Sequence, residues 1–244
     1  MSYAHFVSLS RFRDIIMRMH YDATKVAEQG ETAMPLWQRK LARAKRMSEA
    51  NLWYVIFKFL DFETQLGIIF TSKFFRDNLF ITDLYNIDRF YLKKLTNNIL
   101  RFKIFKYVIK LNVDYNKKIK NISFMTNLKK LNAELNCGID QKGIDGLDLI
   151  YLNIWDNEKI KNVSFMTNLQ YLDACYDCGI NQDGIEGLNL TYLNASNNKK
   201  ITNVSFMTNL QYLNAIGNCR ISPESIKSLK IKELHTFANP NFKK

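Results

Sequence analysis

The sequence predicts an α+β protein in which a helical N-terminal region precedes a solenoid of about seven coils with a parallel sheet. Residues 201–215 are repeated almost unchanged at 160–174 and at 119–133, so that the three copies follow one another at equal intervals. Before these copies, apolar side chains between residues 48 and 80 recur at helical spacing behind residues that cap helices. A periodic sheet preceded by helices is the simplest fold that fits both observations.

These patterns divide the chain into four segments. Residues 1–47 are expected to form a helical extension, and residues 48–80 a bundle of three short helices capped by Ser48, Asp61 and Ser72. Residues 81–107 are expected to form one or two linking helices, one of which carries Leu84, and to cap the first coil. Residues 108–244 form the predicted solenoid.

A nine-residue frame, L-x-x-L-x-A-x-x-N, defines the coils. It begins at residues 108, 128, 149, 169, 190, 210 and 231, so that a shorter and a longer spacing alternate along the chain. Apolar residues two positions apart point to one side of a short strand, and the first leucine enters the same core. The half-repeats at 138–147 and 179–188 contain glycine and polar residues, which predict a short helix or turn.

The last residue of the frame is asparagine in most coils. Its short amide can both donate and accept hydrogen bonds, so it can satisfy backbone groups in a tight bend. Stacked coils would align these side chains into a ladder, with Asp177 as the exception. The predicted ladder residues are Asn116, Asn136, Asn157, Asn198, Asn218 and Asn239.

The third, fifth and seventh residues of each frame are expected to point away from the core and to form the strand face. Tyrosine and tryptophan are favoured in protein contacts, because they bury a large area at a low entropic cost. The alternative is that stacked tyrosine and asparagine side chains only stabilise the sheet. The predicted partner-binding residues are Tyr151, Trp155, Tyr171, Tyr192 and Tyr212.

The frame and its spacing resemble leucine-rich repeats, in particular the short repeats of bacterial and giant-virus proteins. Residues 48–80 resemble the F-box, through Ile56, Phe59, Leu60 and Asp61 and through the segment 72–75 before the third helix. The start of the segment departs from the family, because residues 48–51 replace its Leu-Pro-x-Glu. The resemblance implies that Leu52, Ile56 and Phe59 dock a Skp-type adaptor.

The pairing of the two motifs implies a function in protein interaction. An F-box followed by leucine-rich repeats is typical of a substrate receptor of a cullin-type ubiquitin ligase, and similar proteins occur in large DNA viruses of amoebae. One alternative is a structural or scaffolding protein, such as a virion component that contacts other virion proteins. Another is that residues 48–80 only close the repeat stack. The expected location is the cytoplasm or nucleus of the host cell, or the virion.

Catalysis, cofactors and metal binding find no support in the sequence. The three histidines, His5, His20 and His235, do not accompany a plausible nucleophile, and no glycine-rich phosphate loop is present. Four cysteines are expected to be reduced. Cys175 and Cys178 form a single C-x-x-C without a second pair, which argues against zinc.

Charge and hydropathy argue against two further classes of function. The net charge of +12 is spread evenly along the chain, and the basic stretch 38–46 fits a solvated helix face better than a nucleic-acid contact. No apolar run approaches the roughly 18–20 residues that a transmembrane helix needs.

Overall fold

The computed structural model describes residues 57–242 except 59, 72 and 136, and leaves out the side chain of residue 76. The chain divides into two compact units, with the boundary between Leu79 and Phe80. The predicted extension at 1–47 and the cap Ser72 lie outside the described residues. The same holds for the predicted adaptor contacts Leu52, Ile56 and Phe59, and for Asn136.

Two short helices are described in the first unit, α1 (Phe62–Ile69) and α2 (Lys73–Asn78). Helix α1 begins where the sequence predicts, because Asp61 accepts hydrogen bonds from the backbone nitrogen of Thr64 at 2.9 Å and from its hydroxyl at 3.0 Å. The bond from the Thr64 backbone lowers the pKa of Asp61. Ile68 and Ile69 are buried.

The second unit is a parallel β-solenoid with few helices. Its sheet has eight strands in chain order, all parallel, and six complete turns separate the seven strands that fall on the predicted frames. The prediction of a repeat solenoid with a parallel sheet is therefore confirmed. The strands are β1 (Asp83–Leu84), β2 (Lys110–Asn112), β3 (Lys130–Asn132), β4 (Tyr151–Asn153), β5 (Tyr171–Asp173), β6 (Tyr192–Asn194), β7 (Tyr212–Asn214) and β8 (Glu233–His235).

Strand β1 was not predicted and corrects the interpretation of residues 81–107. Leu84 lies in this strand rather than in a helix, and it pairs in register with Leu111 of β2. The sheet therefore begins before residue 108. Short helices follow the strand, namely α3 (Arg89–Leu92), α4 (Asn97–Leu100) and the 3₁₀ turn Lys103–Phe105.

Short helical turns also connect the later strands. The two glycine-containing half-repeats form the 3₁₀ turns Gln141–Ile144 and Asp183–Ile185, as their composition predicts. Helix α5 (Pro223–Ile226) lies between β7 and β8, and the 3₁₀ turn Pro240–Phe242 follows β8.

The core is a column of leucines, one from each strand. All of these side chains from β1 to β7 are fully buried, and paired strands hold them in register. Burying a leucine contributes about 1.5–3 kcal/mol, so each member of the column stabilises the stack substantially. Its members are Leu84, Leu111, Leu131, Leu152, Leu172, Leu193 and Leu213.

Each coil turns sharply at the eighth position of the frame. The residue there has a left-handed backbone with φ between 54° and 68°, although glycine occupies the position in only one coil. Such a conformation costs a residue other than glycine roughly 1–2 kcal/mol, so the coils on either side must compensate for it. The residues are Tyr115, Leu135, Asp156, Tyr176, Asn197, Gly217 and Ala238.

Buried asparagines follow this turn in alternate coils, which we call Asn coils. Asn157 donates from Nδ2 to the carbonyl oxygen of Ala133 at 2.8 Å, and Asn198 donates likewise to Ala174 at 2.9 Å. Their Oδ1 atoms accept hydrogen bonds from the backbone nitrogens two residues ahead. Each of these amides therefore joins its own turn to the preceding coil. The buried asparagines are Asn116, Asn157, Asn198 and Asn239.

The coils between them, which we call Cys coils, place a thiol at the buried position. Cys178 follows the exposed Asp177, and its Sγ atom lies 3.0 Å from the carbonyl oxygen of Ala174. Cys219 is also buried. The prediction that Asn218 belongs to the buried ladder is wrong, because its side chain is exposed. The nine-residue frame places Asn218 at the same position as the other asparagines. In Cys coils, however, the side chain that points into the core belongs to the residue after the end of the frame.

The two coil types fit each other through these side chains. Nδ2 of Asn198 lies 3.3 Å from Sγ of Cys178 and 3.2 Å from the carbonyl oxygen of Ile180. The ammonium of Lys200 donates to the carbonyl oxygen of Cys178 at 2.8 Å. A Cβ at Gly179 would lie 2.3 Å from the carbonyl oxygen of Ile160, so only glycine allows this close approach between backbones. One Asn coil and one Cys coil together form the structural unit that the sequence repeats.

We expect Asn198→Ala to lower the free energy of unfolding by about 1–3 kcal/mol, because it leaves buried carbonyl groups without a donor. Asn218→Ala removes the same side chain at the same frame position of the neighbouring coil, and we expect a change within about 0.5 kcal/mol. Urea unfolding followed by circular dichroism measures both. Equal losses in the two variants would contradict the alternation of Asn and Cys coils.

Candidate functional site

The strand face carries the candidate site, and four of its predicted residues form one continuous stack. The rings of Tyr151 and Tyr171 lie 4.0 Å apart at 11°, those of Tyr171 and Tyr192 lie 4.0 Å apart at 13°, and Tyr192 and Tyr212 are separated by 4.2 Å at 6°. All four side chains are half-buried. In-register pairing of the parallel strands brings equivalent side chains this close.

A cation extends the stack toward β1. The ammonium of Lys130 lies 4.0 Å from the ring centroid of Tyr85 and 4.2 Å from that of Tyr151. Both distances fit a cation–π contact. Tyr85 was missed from the sequence because its segment was interpreted as helical. The only signal in the sequence was Leu84 between polar residues. A single apolar residue is too short a pattern to define the frame.

The two central members of the row, Tyr171 and Tyr192, resist ionisation. Burial raises the pKa of Tyr171, with a further contribution from hydrogen bonds to its two neighbouring phenols, and burial also raises the pKa of Tyr192 to about 12. The ring faces are occupied by one another, so the edges and hydroxyl groups are the parts that face solvent. The stack therefore stabilises the sheet and at the same time presents a rigid surface.

The fifth position of every frame except the last, which has His235, caps the end of its strand. Oδ1 of Asn153 accepts a hydrogen bond from the backbone nitrogen of Trp155 at 3.0 Å, and Asn194 accepts from Ser196 at 3.1 Å. Nδ2 of Asn153 also donates to Glu134 of the preceding coil at 2.6 Å. These bonds fix the backbone that carries the seventh residue of the frame.

Trp155 is the exposed aromatic residue at the seventh position of the frame that contains β4, with 36% of its surface accessible. The exposed ring of Tyr176 lies 5.9 Å from it at an angle of 52°. Tyr176 was not predicted, because it occupies the left-handed eighth position, which the frame leaves unspecified. Two seventh residues, Cys175 and Ser196, are buried although they belong to the strand face. The hydroxyl of Ser196 lies 2.6 Å from Oδ1 of Asn194, the fifth residue of its frame, so these short side chains are covered by their neighbours on that face.

Carboxylates border the aromatic residues at the ends of the strands. Glu134 is half-buried, and desolvation raises its pKa, with further contributions from the negative charges of Asp114 and Asp173. Three acidic side chains thus repel one another at the ends of the strands, in a chain whose net charge is +12. A positively charged group placed there would relieve their mutual repulsion.

The cysteines are free and buried. Burial raises the pKa of Cys178 to about 11, and that of Cys175 is raised by burial and by the charge of Asp173. Among the described residues, no group of three His, Cys, Asp or Glu side chains is arranged to hold a metal ion. No helix in the described part of the chain combines the length and apolar character needed to cross a membrane.

Comparison of the chain with protein-family models, with curated proteins and with solved structures finds no match in any of the three.

We expect the stability of the protein to fall as the pH rises from about 10 to about 12. The raised pKa values of Tyr171 and Tyr192 mean that the folded state holds protons that the unfolded chain has already released. Tyr192→Phe should lose less stability over this interval than the wild type. Tyr115→Phe, which removes an exposed phenol outside the stack, is the control. Unfolding free energies in urea at pH 9, 10, 11 and 12 test this, and parallel curves for Tyr192→Phe and the wild type would contradict it.

Proposed function

We infer that the protein is a non-catalytic binding module whose strand face holds a protein partner. The observation that carries this inference is the ordered aromatic row, Tyr151 to Tyr212, with the exposed pair Trp155 and Tyr176 at its border. Large aromatic side chains of this kind supply most of the binding energy in many protein interfaces.

The surface is ordered before any partner arrives. Stacking between successive rings and the bonds from Asn153 and Asn194 already restrict the side chains and the strand ends. Binding therefore costs less side-chain entropy than it would on a flexible surface. A rigid row of ring edges and hydroxyl groups suits a partner that presents both apolar and hydrogen-bonding groups.

The carboxylates indicate the charge of the partner. Glu134 and Asp173 lie in one partly desolvated group, and a lysine or arginine of the partner would pair with them. We therefore propose a partner segment in which a basic residue stands next to apolar residues.

The resemblance to F-box and leucine-rich-repeat proteins extends this proposal to a substrate receptor of a cullin-type ubiquitin ligase. In it, the strand face holds the target, and Leu52, Ile56 and Phe59 bind a Skp-type adaptor. The first unit offers one supporting observation, since Phe70 of the turn after α1 is 66% exposed and Phe74 of α2 is also exposed. Exposed aromatic side chains next to short helices are typical of a docking surface.

A structural or scaffolding role, such as that of a virion component, is the second candidate. One observation favours it, because the last core leucine, Leu234, remains 43% exposed at the end of the stack. A solenoid end that is left open in this way can join another protein chain.

We expect Trp155→Ala to weaken partner binding at least about tenfold, since truncation of a central aromatic contact commonly costs about 2 kcal/mol or more. Phe165→Ala removes an equally exposed aromatic ring outside the strand face and is the matched control. Affinity capture from a host lysate with the immobilised chain, followed by mass spectrometry, identifies the proteins that depend on Trp155. If both variants capture the same proteins as the wild type, the strand face is not the binding site.

The adaptor proposal has a separate test. The double variant Ile56→Asp and Phe59→Asp should lose a Skp-type adaptor and keep the proteins bound at the strand face. Trp155→Ala should show the reverse pattern. Co-purification at physiological salt distinguishes the two. Absence of any Skp-type adaptor from the wild-type sample would overturn the ligase proposal and leave the binding-module proposal intact.

A further inference from the structure

The C-terminal end of the sheet is open. Among the described residues no strand follows β8, and Leu234 is 43% exposed, although the equivalent leucines of β1 to β7 are fully buried. Ile226, Leu229 and Ile231 are also only partly covered, and Phe237 is 82% exposed. An apolar core that meets solvent in this way is a candidate interface.

Strand β8 also presents unpaired backbone groups at this end. The nitrogen of Glu233 donates to Gln211, and the carbonyl oxygen of His235 accepts from Ala215 at 2.8 Å, so these two residues bond toward β7. Because backbone groups alternate in direction along a strand, both the N–H and the C=O of Leu234 point to the open edge. A second strand can pair there.

We propose that β8 pairs antiparallel with β8 of a second copy of this chain, about a two-fold axis through Leu234. In this register each Leu234 exchanges both backbone hydrogen bonds with its counterpart, which is the hydrogen-bonded pair of an antiparallel ladder. The two leucine side chains meet on the core side. The open ends of the two cores then cover each other.

The side chains of Glu233 and His235 favour a second copy of the chain as the occupant, and they favour this register. About the axis, Glu233 of one copy stands opposite His235 of the other, and the pair occurs twice. Within one chain the two groups already approach to 2.8 Å, so they lie on the same face of the strand. A shift of two residues would place Glu233 opposite Glu233, and like charges directly opposite are unfavourable, or it would place His235 opposite His235 and separate each carboxylate from the imidazole of the other copy. A shift of one residue would turn the leucine side chains away from the core.

The symmetry closes the assembly at two copies. An isologous contact uses the same surface on both chains, so it forms a dimer and leaves no free β8 edge for further addition. The row that runs from Tyr151 to Tyr212 and His235 would continue across the axis into the second copy. The dimer would present two strand faces on one continuous sheet.

The test uses the purified full chain alone, so its outcome does not depend on the proposed function. Sedimentation velocity over a range of concentrations should show a monomer–dimer equilibrium for the wild type. His235→Glu places carboxylates opposite one another and should raise the dimer dissociation constant at least about tenfold. The double variant Glu233→Lys and His235→Glu restores opposite charges and should recover the dimer. Thr208→Ala, an exposed change remote from β8, is the control.

A second measurement locates the axis. The paired Cα atoms of a hydrogen-bonded antiparallel pair lie about 5.5 Å apart, within the range of a disulfide. Leu234→Cys should therefore form a covalent dimer on mild oxidation, whereas the wild-type cysteines are buried. Circular dichroism checks that each variant is folded. A monomer at all concentrations, or a dimer that neither responds to the charge variants nor forms the cross-link, would overturn the proposal.

Discussion

The structure depends on one constraint, which is that each coil must satisfy the polar groups at its bend by bonding to the coil before it. The left-handed turn after strands β2 to β8 leaves backbone groups inside the stack, and buried groups without partners are costly. Asn157 and Asn198 meet this demand with amides that reach the preceding coil. In the Cys coil between them, the backbone nitrogen of Gly179 donates to the carbonyl oxygen of Asn157, and the thiol of Cys178 bonds to Ala174 of its own coil. Among the described residues, Asp148 Oδ1 is the one buried side-chain oxygen or nitrogen atom without a partner.

The regular arrangement of side chains on the strand face follows from the same constraint. In-register coils place Tyr151, Tyr171 and Tyr192 at one position of successive strands, so their rings stack at the spacing of the sheet. Caps such as Asn153 then hold the backbone of Trp155 at the strand end. The two interpretations of the tyrosine row are therefore compatible, because rings that stabilise the sheet also form a rigid contact surface.

The parts of the fold that repeat at a fixed spacing could be predicted from the sequence. The parts that depend on which way a single side chain points could not. Leucines in a repeated frame define strands β2 to β8, because alternation along a strand decides which side chains are buried. The frame could not show that Asn218 points outward, since a single residue decides whether an amide or a thiol enters the core. Strand β1 offers only Leu84 as a signal, and Tyr176 occupies a left-handed position that glycine would usually mark.

The fit between an Asn coil and the Cys coil before it affects how the protein can change in length. Lys200 and Asn198 reach backward to groups of one particular kind of neighbour, around Cys178. Removal of a single coil would bring two thiol-bearing or two amide-bearing turns into contact and would lose this pairing of amide with thiol. Deletions and duplications in this part of the chain should therefore be tolerated best when they remove or add an Asn coil together with its Cys coil.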